Sequence, residues 1–387
     1  MEKNNSSIIF NFRVVIWITV FISFLGTTTT AGQLNPINKQ QEENLMLIPY
    51  SGIFSGILDD GSFSVVTRHD DGLVAIHQCS EDGNWRRIGQ FSGIDPSNEN
   101  SHLTIEVVNP SGSVVAGRFR RNREIFRWTA KEGVKSLGAP YREKDKIIAV
   151  GCIGISHDGS VILGKYWGLW IEKEGFRELG IHPRYKVQIP EALSADGSTV
   201  VGVGRNPGLH LFKKKSSALR WKRTSGFHDL GDLKGGKHYS NARDVSADGA
   251  AIVGSGDMDF KFGMSPKLIS SLPYRWTYQN GFEKLDKGGY DIGMATMVSG
   301  DGTIVIGSIS NRNDEYNSSI PVCWNAEGVL FHLRELLAQA GMNEQQYNRF
   351  HLMHISNNGK YIILGAHRPE GSYRLYRVNL SGTALFP

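Results

Sequence analysis

The stretch ALSADGSTVVG, Ala192–Gly202, decides the fold. It recurs as DVSADGAAIVG (Asp244–Gly254) and MVSGDGTIVIG (Met297–Gly307). Looser copies read ILDDGSFSVVT (Ile57–Thr67), VVNPSGSVVAG (Val107–Gly117), GISHDGSVILG (Gly154–Gly164) and HISNNGKYIILG (His354–Gly365). Each has an apolar residue, a small polar residue, Asp-Gly or a near variant, and then a run rich in Val and Ile. The glycines are Gly61, Gly112, Gly159, Gly197, Gly249, Gly302 and Gly359. Asp-Gly or Asn-Gly between two β-branched runs supplies the positive-φ residues of a tight hairpin turn. The segment behind it alternates or runs apolar, as a buried strand does. Seven copies at intervals of 38 to 57 residues predict a repeat architecture.

Most copies are followed by an apolar or basic residue and then Trp: Arg127-Trp128, Leu169-Trp170, Arg220-Trp221, Arg275-Trp276 and Cys323-Trp324. A short Gly-containing turn comes next, then a strand such as GFRELG, GFHDLG or GFEKLD. Each repeat thus supplies four strands, the content of a propeller blade rather than a solenoid coil. The expected fold is all-β: a seven-bladed β-propeller with four-stranded blades. The first repeat has Trp85 on its fourth strand. The last has Tyr376-Arg377 in place of the step and no fourth strand of its own. A spare strand, Asn44 to Tyr50, precedes the first repeat, so it is expected to pair beside Tyr373 to Asn379 and close the ring. Closure removes the edge that an open ring would expose. The segment Leu333 to Gly341, LRELLAQAG, spaces its apolar residues as a short helix with Gly341 as stop, expected on one propeller face.

Composition agrees. The 387 residues include 45 Gly, 40% hydrophobic and 21% charged residues, which excludes a disordered chain. Cys79, Cys152 and Cys323 are odd in number and far apart, so they frame no disulfide scaffold. The N-terminus carries Lys3 and Arg13, the apolar run Val14 to Gly26 and the small-residue exit GTTTTAG. These are the parts of a secretory signal cleaved after Ala31 or Gly32. The domain reading is a signal peptide over 1–32, a polar lead-in over 33–43 and a propeller over 44–387. No membrane span is expected after cleavage. The mature chain is expected to be a monomer that is secreted, periplasmic or on the cell surface.

The units ALRWKRTSGFHDLGDLKGG and ARDVSADGAAIVGSGD resemble the bacterial probable extracellular repeats called the HAF family. Those repeats place a Trp strand, a Gly-aromatic-x-Asp-Leu-Gly strand, a Gly-rich link and an S-x-D-G-x-x-V-V-G hairpin in that order. The likeness covers roughly Gly52 to Leu380 and is strongest from Gly197 to Gly307. The letters H-A-F before the Trp are absent; the slots read EIFRW, SALRW, LPYRW and PVCW. LRELLAQAG also resembles the end of the passenger region in some HAF-containing autotransporters, but with the last repeat ending near Leu380 no autotransporter barrel is expected. The resemblance implies a secreted or surface propeller without an assigned reaction, and so carries over no catalytic residue.

No nucleophile elbow, Walker loop, dinucleotide fingerprint or zinc signature occurs, so no catalytic, cofactor-binding or metal residue is expected. The Asp-Gly pairs recur in every repeat, which marks them as turn chemistry rather than calcium loops. His351 and His354 stand three apart, which on a regular strand places them on opposite faces. Asp257 and Asp259 stand two apart and share a face if extended. Basic runs, Arg120, Arg121 and Arg123 and then Lys213 to Lys215, lie between the second and third strands of their repeats. With a net charge of +5 and no stacking motif beside these runs, nucleic acid is not the expected partner.

In a four-stranded blade the Asp-Gly turn and the turn after the Trp strand lie at one end. The second-to-third connection and the link to the next blade lie at the other. The Asp-Gly side is short and uniform, whereas the link side varies widely in length and carries the aromatic and charged loops. The candidate binding face is therefore the link side, with Arg120, Arg121, Phe212, Lys213, Lys214, Phe260, Lys261 and Phe262. The expected function is an exported binding module that displays these loops to a protein or glycan outside the cytoplasm. The alternative is a propeller enzyme acting on polysaccharide, of glycosidase or lyase type, with carboxylates facing one another across the axis.

Overall fold

The computed structural model describes residues 44–386 apart from 96–97, 121–123, 139–141, 144–145, 148–150, 166–167, 181, 207–214, 235–238, 262–266 and 314–318. The expected signal and lead-in, 1–43, lie outside the described residues. The copy at Gly197 shows how each repeat folds. Val187–Leu193 pairs antiparallel with Thr199–Asn206, that strand with Lys215–Lys222, and that one with Gly226–Gly231. The same order is made by Ile53–Phe54, Phe63–Arg68, Leu73–Cys79 and Trp85–Ser92 in the first repeat. Asn98–Val108, Val114–Phe119, Ile125–Thr129 and Gly133–Gly138 follow, then Cys152–Ile155, Val161–Gly164, Gly168–Ile171 and Gly175–Glu178. Beyond the Gly197 copy come Asn241–Val245, Ala251–Lys261, Lys267–Thr277 and Gly281–Lys284. A single parallel pairing, Ser271 with Ile292, joins that group to Ile292–Val298, Val305–Ser310, Ile320–Trp324 and Leu330–His332. The last sheet is Arg349–Ile355, Tyr361–His367, Tyr373–Asn379 and, from the other end of the chain, Leu45–Ile48.

The Asp-Gly turns are wider than a two-residue hairpin. All seven glycines have positive φ, from 70° to 81°, but the residue before each does not. Leu193 pairs with Val200 and the Ser194 N–H bonds to the Thr199 carbonyl, leaving Ala195 to Ser198 as the loop, and the Gly197 N–H closes a turn on the Ser194 carbonyl at 2.9 Å. Four-residue loops of this kind are built on a type I turn. Ser and Asp hold it together. Ser194 Oγ donates to Asp196 Oδ1 at 2.5 Å and accepts the Thr199 N–H at 2.9 Å, while Asp196 Oδ1 accepts the Ser198 N–H at 2.9 Å. Ser156 with Asp158, Ser246 with Asp248, Ser299 with Asp301 and Ser356 with Asn358 repeat the lock. In VVNPSGS the amide of Asn109 stands in for the serine, its Oδ1 accepting the Val114 N–H at 2.9 Å.

Successive turns are also bonded to one another. Ser64 Oγ donates to the Pro110 carbonyl, Asn109 Nδ2 to His157 and the His157 N–H to Ala195. The N–H of Asp196 reaches Ala247, that of Ala247 reaches Gly300 and that of Asp301 reaches Asn357. The Asn358 N–H returns to Asp59 Oδ1 at 2.7 Å, which completes the circuit. First strands of successive sheets touch one another, so they form the inner wall. Four-stranded sheets packed face to face around a closed circuit make a β-propeller, with the N-terminal strand completing the last blade.

The Arg-Trp step clasps both neighbours, because consecutive strand residues point to opposite faces. Trp128 packs into the preceding blade with Phe91 at a centroid distance of 5.1 Å, and Trp221 packs with Val161, Leu163 and Leu169. Arg127 turns the other way, pairing with Glu172 at 3.1 Å and lying over the Trp170 ring. In the last blade the register assigns the arginine's place to Arg377 and the tryptophan's place to Val378, not to Tyr376-Arg377 as the spacing implied. An extra residue after Gly359 shifts that strand by one. The helix Leu333–Gln339 is not laid on a propeller face. Leu333, Leu336 and Leu337 are buried among Ile304, Ile306, Cys323, Ile362, Leu364 and Val378, so the helix fills the space between two blades. It ends at Gly341 with φ 91°.

Candidate binding face

The two ends of the ring differ. The Asp-Gly end is tied by the turn-to-turn circuit. At the link end the hairpin Ala251–Lys261 with Lys267–Thr277 has strands of 11 residues, against 6 for the equivalent Val305–Ser310. Pairing continues from Ala251 with Thr277 to Lys261 with Lys267, so this hairpin extends beyond its neighbours. Phe260 and Lys261 stand in its last pairs, at the strand end farthest from Asp248. A register shift between Gly256 and Asp259 breaks the alternation expected for Asp257 and Asp259. Asp257 takes φ 45°, and its N–H is held by Asp232 Oδ1 at 3.0 Å. Arg120 is exposed in the second-to-third connection of its blade. Arg121, Phe212, Lys213, Lys214 and Phe262 lie outside the described residues. The Asp-Gly end is not bare of apolar surface: Tyr278 is 83% exposed and Val329 50%, both in turns after Trp strands.

A second feature lines the inner wall. In six blades the first strand carries a register shift at the same place of the repeat. The extra residues are Glu106, Ile153, Glu191, Arg243, Thr296 and Met353. A bulge re-aims the side chain it inserts. Arg243 Nη1 lies 3.3 Å from Glu191 Oε1 across two blades. Burial pushes the Glu191 carboxyl up, against the pull of Arg243 and Arg205, and pushes the Arg205 guanidinium down. Glu106, at the matching place, accepts the Cys152 N–H at 2.5 Å and sits 3.2 Å from Arg118 Nε. The same bulge corrects the histidines. His351 pairs with Gly365 and His354 with Ile363, two register steps apart, so they share a face. Among the described residues no group of three or more His, Cys, Asp or Glu could hold a metal ion.

The chain matches no protein-family model. It matches no curated protein. Solved structures do resemble it. TolB from Acinetobacter baumannii is 13% identical over 82% of this chain and 79% of that one, with a TM-score of 0.37. The β-propeller domain of the Trilobed protease from Pyrococcus furiosus, described as having an open velcro topology, is 12% identical. That match covers 85% of this chain and 95% of that one, with a TM-score of 0.48. A puromycin hydrolase mutant complexed with PGG is 10% identical over 90% of this chain but 55% of that one, with a TM-score of 0.49. The likeness concerns the fold alone.

Glu191, Arg205 and Arg243 escaped the sequence reading because they are far apart in the chain. The usable signal was a column: the residue three before the Ser or Asn of the turn motif is charged at Glu106, Glu191 and Arg243 and uncharged at Ile153, Thr296 and Met353.

Two further inner-wall groups set a pH response. Asp244 accepts the N–H of Val245 and, across the blade seam, of Val298, each at 2.9 Å. Burial nevertheless raises its carboxyl to about 7. Burial lowers His354 to about 4. A raised folded-state value means that the Asp244 contribution is full below about 4 and is lost as pH rises through about 7. The depressed His354 value works the other way, with stability lost as pH falls from about 6.5 through about 4. The two slopes oppose, so each is read as a difference. Asp244→Asn is expected to remove a decline of about 3–4 kcal/mol between pH 4 and 7, and His354→Gln to remove the acid-side loss. Urea melts across this range check both; parallel profiles for variant and parent refute the assignment.

Proposed function

We propose that the chain is an exported, seven-bladed propeller of the HAF-repeat type that acts as a binding module, with its link end as the contact surface. The signal is removed after Ala31 or Gly32, and the partner is a protein or glycan at the cell surface or outside the cell. The observation that carries this reading is the asymmetry of the ends. One end is short, uniform and locked turn to turn, and the other projects an extended hairpin ending at Phe260 and Lys261. A rigid ring with variable loops at one end is the usual arrangement for recognition, since loops vary without disturbing the sheets beneath. The inner-wall acids lend no support to a hydrolase of the two-carboxylate kind, because Glu106 and Glu191 each sit against an arginine.

The test is a glycan array and a cell-envelope capture with charge-reversed variants. Lys213→Glu with Lys214→Glu is expected to weaken the retained partner roughly tenfold, as the loss of charged contacts does. Lys131→Glu with Lys173→Glu, which reverses exposed charges in the turns after two third strands at the Asp-Gly end, is expected to leave binding unchanged. Equal losses from both pairs refute the assignment of the face.

A further inference from the structure

We propose that the seam between the last and first blades is an acid-operated latch, whose four histidines take up protons and release the closing strand Leu45–Ile48. The latch is independent of which end of the ring meets a partner.

Pairing in the last blade sets three rows of side chains on the face that meets the first blade. His354, Ile363 and Arg377 make one row, His351, Gly365 and Leu375 the next, and Arg349, His367 and Tyr373 the third. Ile363 and Leu375 are buried with Phe54, Phe63 and Val65 of the first blade, which fixes the direction of all three. From the first blade, His77 stands in the row of Val65 and Arg87. The closing segment covers it: Tyr50 stacks on the His77 ring at 4.2 Å, and His77 Nε2 is buried without a hydrogen-bond partner. On the opposing face the His367 ring meets Tyr373 at 4.6 Å.

Four of the chain's twelve histidines thus lie in the strands of these two blades. None of the eight strands contains an aspartate or glutamate, while six arginines stand in them. Of the acids in the adjoining turns, Asp59 and Asp60 hold backbone N–H groups at the Asp-Gly end. Asp70 and Asp71, beside His69, are exposed, as are Glu81, Asp82 and Glu370. An imidazolium formed in the seam therefore faces arginine and no carboxylate. Burial first, then nearby cations, hold His77, His351 and His367 below the ordinary histidine value, and burial brings His354 to about 4. The closed seam binds fewer protons than the open one, so opening is favoured as pH falls below about 6.5. The chain runs from the closing strand through Pro49 into the first blade, so the two blades part only when that strand leaves Tyr373–Asn379. Four residue pairs hold it there, far fewer than hold the sheets themselves.

The experiment is hydrogen exchange on the purified protein at pH 7, 6 and 5, corrected for the intrinsic pH dependence of exchange. Amides of Leu45–Ile48 are expected to exchange roughly tenfold faster or more at pH 5 than at pH 7, and those of Thr199–Asn206 at an unchanged rate. His77→Gln combined with His351→Gln and His367→Gln is expected to remove most of the acceleration. His228→Gln, at an exposed position on a fourth strand elsewhere in the ring, is expected to keep all of it. Equal acceleration in every blade means global acid unfolding and overturns the latch. A closing strand that exchanges alike at pH 7 and 5, or a triple variant with the parent's full acceleration, also overturns it. If the triple variant does not fold, the contrast between the two parent segments decides the matter alone.

Discussion

Deletion of residues 34–50 is expected to give a chain that aggregates and loses about 4–6 kcal/mol of stability, the burial of one large aliphatic and parts of two more side chains plus an unpaired sheet edge. The strand Leu45–Ile48 supplies the outer edge of the last blade, pairing Leu45 with Val378 and Ile48 with Leu375. Its side chains also reach the first blade. Ile48 is buried with Phe54, Phe63 and Val65, and Tyr50 stacks on His77 at 4.2 Å and meets Trp85 edge-on at 4.9 Å. The clasp therefore joins two blades at the seam where the chain starts and ends. Arg377 seals the same seam, donating to the carbonyls of Gly61, Ser80 and Glu81 at 3.0 to 3.1 Å. Without the clasp, the Tyr373–Asn379 edge is left as a template for other chains. Calorimetric melts with light scattering decide the matter; a deletion that melts with the parent and stays monodisperse shows that the strand is dispensable.

Gly249→Val is expected to lower stability by about 3–5 kcal/mol, from two sources that add: a β-branched residue at positive φ and an overfilled contact. Gly249 has φ 72°. A Cβ there would stand 2.7 Å from Thr199 Cβ and closer still to its hydroxyl, in the preceding blade. The neighbouring bonds of the circuit, from Asp196 to Ala247 and from Ala247 to Gly300, fix the two turns and prevent them from moving apart. Gly226→Val isolates the conformational part. Gly226 has φ 70° but no atom within 4 Å of an added Cβ, so its loss is expected to stop at about 1–2 kcal/mol. Urea denaturation of both variants compares the terms. Equal losses would mean that turn-to-turn packing contributes nothing.

Local chemistry made most of the fold legible. The glycines at Gly197, Gly249 and Gly302 must accept positive φ, the Val and Ile runs behind them must be buried on both faces, and a chain lacking a last strand must borrow one. Each statement needs only residues adjacent in sequence or a count of strands, and each matches the structure. Distant partners decided the rest. The Ser-x-Asp lock widened the expected two-residue turn, because side-chain hydrogen bonds to the backbone replaced ladder bonds that a tighter turn would have made. One inserted residue in the inner strand of the last blade put His351 and His354 on a common face, since alternation holds only while pairing is uninterrupted. The helix Leu333–Gln339 showed its apolar stripe in the sequence but not its surroundings, which are side chains contributed by two blades. Glu191 and Arg205 sit on neighbouring strands of one blade and Arg243 comes from the next, so ring closure gathers charges that no spacing along the chain records. The sequence alone determined where strands begin, turn and stop, because those choices depend on the conformations of a few adjacent residues. Only the tertiary structure decided which side chains meet, because that depends on how whole sheets pack around the ring.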